Sequence, residues 1–156
     1  MNKNKRTKRN KRDSVRTPDY ILQALKNEFG SELFDPCPYN PYFDKDKDTN
    51  GLLIPWGPVT FVNPPYSNVR PWLEKARDEH ELGKTVILLL KVGSLATNYF
   101  PPCAKAAELR FFNHRVQFPE YKNVALFGSM LVLFHANVEK SSEYKLIDYR
   151  TFTRVT

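Results

Sequence analysis

The chain has 156 residues, of which 41% are hydrophobic and 13% aromatic, enough apolar material for one globular domain. Its longest apolar run, Val86 to Leu90, is far too short to span a membrane, and the basic N-terminus lacks the apolar stretch of a secretory signal. Cys37 and Cys103 have no second cysteine or histidine at metal-ligand spacing, so we expect a reducing, cytoplasmic setting with no metal site and no structural disulfide.

The formal net charge of +7 is concentrated at the N-terminus. Residues 1–16 contain one acidic side chain, Asp13, and eight basic ones: Lys3, Lys5, Arg6, Lys8, Arg9, Lys11, Arg12 and Arg16. Because this segment has almost no apolar side chain to bury, we expect residues 1–16 to form a disordered arm and residues 17–156 to form the folded domain. The arm either follows the phosphates of a nucleic acid, chiefly through residues 5–12, or serves solubility or localisation only.

The first predicted element is a helix that begins near Thr17 and ends at Gly30. Thr17 suits the N-cap position, and Pro18 suits the first helical position. The apolar side chains recur at helical spacing: Ile21, Leu22, Leu25 and Phe29. A short extended run at 32–34 follows, and prolines and charges make residues 36–57 mostly loop.

Strands and helices alternate in the rest of the chain. In order, they are a strand at 59–62, a helix at 71–82, a strand at 85–90, a short helix at 96–106, and strands at 108–112 and 130–135. Trp72, Leu73 and Ala76 are expected on the inner face of the second helix. The strand at 85–90 is apolar on both faces, as in the middle of a parallel sheet. This alternation predicts a compact α/β sandwich with a mainly parallel sheet.

The segment Asn63-Pro64-Pro65-Tyr66 follows the first predicted strand, at the sheet edge where open α/β folds bind their ligands. An exocyclic amine such as N6 of adenine is a poor nucleophile. The Asn63 side-chain oxygen and the Pro64 carbonyl can accept its two hydrogens and draw the nitrogen toward sp3 geometry. Pro64 and Pro65 stiffen the turn, and Tyr66 offers an aromatic face for an extruded base. The alternative interpretation is an ordinary proline-rich turn.

Further blocks flank this segment in a characteristic succession. They are Thr17-Pro18, Glu28 to Gly30, Asp35 to Cys37, Gly51-Leu52 with Trp56, Val62 to Ser67, Pro71-Trp72 with Ala76, Thr85 to Leu89, Asn98 to Phe100, Arg110-Phe111 to Phe118, and Ser129 to Val132. With these blocks, residues 17–134 resemble the small phage-type DNA N6-adenine methyltransferases.

The resemblance implies a Rossmann-like methyltransferase sandwich that transfers a methyl group from S-adenosyl-L-methionine to the N6 amino group of adenine in DNA. Only 27 residues separate Asp35 from Asn63, so the sheet is expected to be a trimmed version of that fold. The residues implied to bind the cofactor are Thr17, Pro18, Asp35, Pro36, Cys37 and Asn63. For Asp35, the alternative is a loop carboxylate that caps nearby N–H groups.

Duplex DNA is the expected partner, and no membrane and no obligatory protein partner is indicated. His114, Arg115 and Lys122 belong to a polar loop whose basic and amide side chains suit contacts to bases and phosphates. An ordinary polar surface loop is the alternative interpretation of this segment.

Two other functions remain open from the sequence. The same motif serves enzymes that methylate protein glutamine, and RNA is another acceptor class. A catalytically decayed DNA-binding protein is the second alternative, because Ser94 and Ala96 stand where the family often carries arginine and aspartate. The target DNA sequence, and a role in restriction protection or in regulation, are also open.

Overall fold

A computed structural model describes residues 15–44 and 46–136, and the backbone of residues 143–148 and 153–154. The helices are α1 (Asp19–Phe29), α2 (Val69–Glu81) and α3 (Phe100–Cys103). The strands are β1 (Val59–Val62), β2 (Thr85–Lys91), β3 (Glu108–Phe112), β4 (Ser129–Phe134), β5 (Glu143–Asp148) and β6 (Thr153–Arg154). They form one sheet in the order β1-β2-β4-β3-β5-β6.

The central strand β2 divides the core into two apolar layers because its side chains alternate between the faces. Val86, Leu88 and Leu90 pack with α2 and α3 on one face. Ile87 and Leu89 pack with α1 and with the loop between β3 and β4 on the other. Both faces of this strand are therefore buried, as its sequence predicts, and the mixed α/β class is confirmed.

The prediction of a mainly parallel sheet is wrong for the pairing of neighbouring strands. Only β1–β2 and β3–β5 are parallel, whereas β2–β4, β3–β4 and β5–β6 are antiparallel. The cause is the connection from β3 to β4, a loop at residues 113–128 without a helix, which returns the chain between β2 and β3. Strands β1, β2, β3 and β5 still run in one direction, so the carboxyl ends of β1, β2 and β3 meet at one edge of the sheet.

The segment between Asp35 and Asn63 is trimmed, as its length predicts. Phe34 forms an isolated parallel bridge to Thr60 of β1, with N–H···O distances of 2.9 Å on both sides of the pair. Among the described residues from there to β1, the one helical element is a short 3₁₀ turn at Gly51–Leu53. The first strand position is thus kept, and the strand–helix units expected in a longer fold are missing.

Two predictions about individual elements need correction, and two strands were not predicted. Thr17 does not cap α1, because Pro18 occupies the N-cap position and no side chain bonds there. The helix expected at 96–106 is reduced to a 3₁₀ turn, Val92–Ala96, and the short α3. Strands β5 and β6 have no counterpart among the predicted elements. The Gly30 stop is confirmed, since this residue has a φ of 104° after the last turn of α1.

No helix in the described part of the chain is long and apolar enough to cross a membrane.

Candidate active site

Asn63 is the first residue after β1, at the edge where the carboxyl ends of β1, β2 and β3 meet. Its Nδ2 donates hydrogen bonds to the Val15 carbonyl at 2.9 Å and to the Thr17 hydroxyl at 3.1 Å. A backbone carbonyl can only accept, so the nitrogen side of the amide must face Val15. The orientation of the amide is therefore fixed by chemistry, and both of its hydrogens are used.

The opposite atom of the same amide, Asn63 Oδ1, is buried and has no hydrogen-bond partner in the described residues. The hydroxyl oxygens of Tyr66 and Ser129 are likewise buried and have no hydrogen-bond partner among the described residues. Buried polar atoms without partners are rare and call for an explanation. Here all three belong to residues at the carboxyl edge of the sheet, which makes this edge the candidate functional site.

The two prolines form a tight turn between β1 and α2. Both are buried, and the Pro65 carbonyl accepts the N–H of Asn68 at 3.0 Å. The Pro65 carbonyl is thus committed to the turn. Of the two proline carbonyls, that of Pro64 is the better candidate acceptor for a ligand beside Asn63.

Tyr66 lies in an aromatic cluster rather than on an open surface. Its ring packs edge-on against Phe127 and Phe118, with centroid distances of 5.6 and 6.4 Å. The ammonium of Lys91 lies 4.9 Å from the centre of the Tyr66 ring and 4.4 Å from that of Phe127. Burial raises the pKa of the Tyr66 hydroxyl, so the group stays protonated at any physiological pH.

Two cavities lie beside the turn after β1 and share Asp35 and Cys37 in their walls, and only the smaller one has Asn63 in its lining. The smaller one, of about 140 Å³, is lined by Val15, Arg16, Thr17, Leu22, Asp35, Cys37, Tyr39, Phe61 and Asn63. The larger one measures about 470 Å³, within the range typical of ligand sites. Its wall includes Asp35 to Pro38, the 3₁₀ turn, Pro65 and Trp72. Of the residues implied to bind the cofactor, only Pro18 lines neither cavity.

Asp35 stands where the two cavities meet. Its Oδ1 accepts the Cys37 N–H at 2.9 Å. This is the contact expected if Asp35 is a loop carboxylate that caps nearby N–H groups. Surrounding protein atoms raise the pKa of the Asp35 carboxyl, and the Cys37 N–H partly offsets the effect. The carboxyl group therefore caps its own loop and at the same time lines both cavities.

The family model of DNA N-6-adenine-methyltransferase (Dam) matches residues 4–145 of this chain. The chain belongs to this family. It is therefore an S-adenosylmethionine-dependent enzyme that methylates N6 of adenine in DNA. Among curated proteins and among solved structures, no significant match is found.

In this methyltransferase, the loop at 113–128 carries the basic residues predicted to contact DNA. His114, Arg115 and Lys122 are all exposed there. The inner side of the loop is anchored by buried Val116 and Phe118. The three basic side chains thus stand on an ordered support next to Tyr66, although they do not line either cavity.

The folded part of the methyltransferase begins before the boundary predicted at residue 17. Val15 is buried, and its carbonyl holds Asn63. The Arg16 N–H and guanidinium contact the Glu120 carboxylate at 3.2 and 3.5 Å. The structure thus places both residues on the globule. The arm residues predicted to bind DNA, Lys5, Arg6, Lys8, Arg9, Lys11 and Arg12, lie outside the described residues.

Sequence reasoning missed two residues at the site of this methyltransferase. Val15 contributes only a backbone carbonyl, and no side-chain signal could have revealed it. Lys91 had a usable signal, because it ends the apolar strand β2 at the same sheet edge as Asn63. A cation at the end of a buried strand is a candidate for part of a site.

Proposed function

We propose that Asn63 Oδ1 and the Pro64 carbonyl accept the two hydrogens of the adenine N6 amine during methyl transfer. The observation that carries this proposal is the state of Asn63: its nitrogen is held by two acceptors, and its oxygen is buried without a partner among the described residues. An acceptor that is already oriented and desolvated needs no reorganisation when the amine arrives.

The chain's own groups then act on the nitrogen. Two acceptors draw the N6 hydrogens out of the plane of the base, which localises the nitrogen lone pair. When bound, S-adenosylmethionine supplies an electrophilic methyl group on a sulfonium. No strong general base is needed, because the nitrogen becomes acidic once it is cationic, and its proton can leave to solvent. Pro65 contributes by fixing the turn that presents the Pro64 carbonyl.

The two cavities fit the cofactor, which is elongated, carries positive charge and has an adenosyl group. Asp35 supplies a carboxylate at their junction, which suits a cationic group. The apolar wall formed by Phe34, Ile54 and Trp72 suits the adenosyl part. We therefore assign Thr17, Asp35, Cys37 and Asn63 to the smaller cavity's cofactor contacts, and Pro36 to those of the larger cavity.

Tyr66 is proposed to stack with the extruded adenine. The Lys91 ammonium now lies near the ring, so the base can use that face only after the lysine side chain swings away. A contact of this kind is worth about 1 kcal/mol, less than the stacking of a base on an aromatic ring provides.

Duplex DNA is the proposed substrate form, and the host cytoplasm the proposed setting. Arg115, Lys122 and the N-terminal arm supply cationic groups for the phosphates. The sequence-specific contacts are assigned to the loop at 113–128, which lies beside the acceptor site.

The test is an Asn63→Ala enzyme, assayed with labelled cofactor and host DNA. Transfer should fall by on the order of 100-fold or more, because the variant lacks one oriented acceptor at the reacting nitrogen. Calorimetry with S-adenosylhomocysteine should show a nearly unchanged affinity. Asn27→Ala, an exposed change on α1, is the matched control and should leave both quantities unchanged. Near-normal transfer by Asn63→Ala would refute the proposed acceptor role.

A further inference from the structure

The loop at 113–128 exposes apolar side chains that the fold itself does not use. Leu126 is 90% exposed, Val124 is 48% exposed and Tyr121 is 41% exposed. Single exposed apolar residues are common on protein surfaces, whereas three within six residues beside an active site indicate a contact surface.

Leu126 is held in place by its neighbours, although its own side chain projects into solvent. The Ala125 N–H before it bonds to the Val116 carbonyl at 2.8 Å. The Phe127 ring after it packs 5.6 Å from the ring of Tyr66, and the Gly128 carbonyl accepts the Val92 N–H at 2.9 Å. The backbone around Leu126 thus presents an apolar side chain next to the aromatic cluster of the active site.

The surroundings of Leu126 indicate duplex DNA as the occupant of this surface. Arg115 and Lys122 are exposed on the same loop and suit phosphates, whereas an apolar tip on that loop suits stacked bases. The N6 amine of a paired adenine takes part in the base pair, so the base must leave the stack before Asn63 can reach that amine. Proteins that unstack bases insert apolar side chains, including leucine, between base steps.

We propose that Leu126 is a wedge that enters the base stack beside the target adenine and keeps the extruded base out of the helix. This inference rests on the proposed acceptor site at Asn63. Leu126 is a better candidate than Val124 because it is more exposed and directly precedes Phe127, which contacts Tyr66.

The test compares Leu126→Ala with the wild-type enzyme on two duplexes that contain the target sequence. In one duplex the target adenine is paired, and in the other it faces a mismatched base, which lowers the energy needed for extrusion. Single-turnover transfer by Leu126→Ala should fall at least about tenfold on the paired duplex and stay within about threefold of wild type on the mismatched one. Leu126→Met keeps an apolar tip and should retain transfer on both duplexes.

The matched control is Leu82→Ala, which removes a leucine that is 73% exposed at the end of α2, where β1 and β2 begin. It should transfer normally to both duplexes. Equal loss by Leu126→Ala on the two duplexes, or no loss on either, would overturn the wedge. If Asn63→Ala methylated both duplexes normally, the proposed acceptor site would fail and the wedge with it.

Discussion

The amide of Asn63 joins two parts of the chain that are far apart in sequence. Val15 lies 48 residues and Thr17 lies 46 residues before it, yet both accept hydrogens from its Nδ2. These contacts prevent the amide from turning over and leave Oδ1 as the atom that we propose accepts from the adenine amine. We therefore propose that Thr17 is a positioning residue that acts through Asn63, in addition to lining the smaller cavity.

Thr17→Val should lower the rate of methyl transfer because it removes one of the two acceptors that orient Asn63. A single such hydrogen bond is worth about 1 kcal/mol, so kcat should fall roughly five- to tenfold. Thr17→Ser keeps the hydroxyl and should restore most of the rate. Steady-state kinetics with varied cofactor provides the measurement. A raised KM for S-adenosylmethionine with unchanged kcat would show that Thr17 serves the cofactor alone.

Helices, strands and turns differ in how well the sequence predicts them. The spans of β1, β2 and β3 and the buried face of α2 follow from local periodicity, and the structure confirms them. The orientation of β4 could not be predicted, because it depends on the path of the loop at 113–128 rather than on any local pattern. β5 had a weak signal, the alternation of Tyr144 and Leu146 with Glu143 and Lys145.

The same contrast applies to the site itself. The position of Asn63 at the sheet edge could be predicted because it follows an apolar strand at its carboxyl end, whereas a cofactor role for Asp35 was implied only by the family resemblance. The Val15 carbonyl and the Lys91 ammonium reach the site only through tertiary packing, so no local pattern specified what they contact there.

The 3₁₀ turn at Gly51–Leu53 forms part of the wall of the larger cavity. A substitution at Gly51 tests this structural role. A Cβ at Gly51 would lie 1.9 Å from the carbonyl oxygen of Pro36, and the Gly51 carbonyl accepts the Trp56 indole N–H at 2.8 Å. Gly51→Ala should therefore push apart two walls of the cavity. We expect a decrease of about 1–3 kcal/mol in the free energy of unfolding and weaker binding of S-adenosylhomocysteine.

Urea unfolding and calorimetry would measure these two effects. Gly93→Ala is the matched control, because nothing lies within 4 Å of a Cβ built there. Gly51→Ala and Gly93→Ala enzymes of equal stability and equal affinity would contradict the assignment of this turn to the cavity wall.

At the scale of the whole molecule, we expect the net positive charge and the catalytic residues to lie in different parts of the chain. The net charge of +7 lies entirely within residues 1–16, whereas the remaining basic and acidic residues balance. Val15 and Arg16 nevertheless belong to the globule, where the Val15 carbonyl holds Asn63, the proposed acceptor residue. The boundary between the arm that we propose attracts DNA and the folded domain is therefore expected next to the proposed acceptor site.

Two truncations separate these roles. Deleting residues 1–14 should weaken DNA binding and flatten the slope of log affinity against log salt by about 0.9 for each phosphate that the arm neutralises in the full chain. Transfer at saturating DNA should persist, because the Val15 carbonyl remains. Deleting residues 1–16 should also lower kcat, since the Val15 carbonyl that holds Asn63 is then absent. Binding measured over a salt series gives the slope, and an unchanged slope in the shorter deletion would make the arm a solubility or localisation device.

The most direct test of the acceptor role of Asn63 is a map of N6-methyladenine in DNA from cells that express either the wild-type enzyme or Asn63→Ala. Wild-type DNA should carry N6-methyladenine throughout one short recurring sequence, and that sequence supplies the target for the duplex experiments. DNA from cells with Asn63→Ala, at equal protein level, should show background modification only. Equal modification by both proteins would contradict the acceptor role of Asn63.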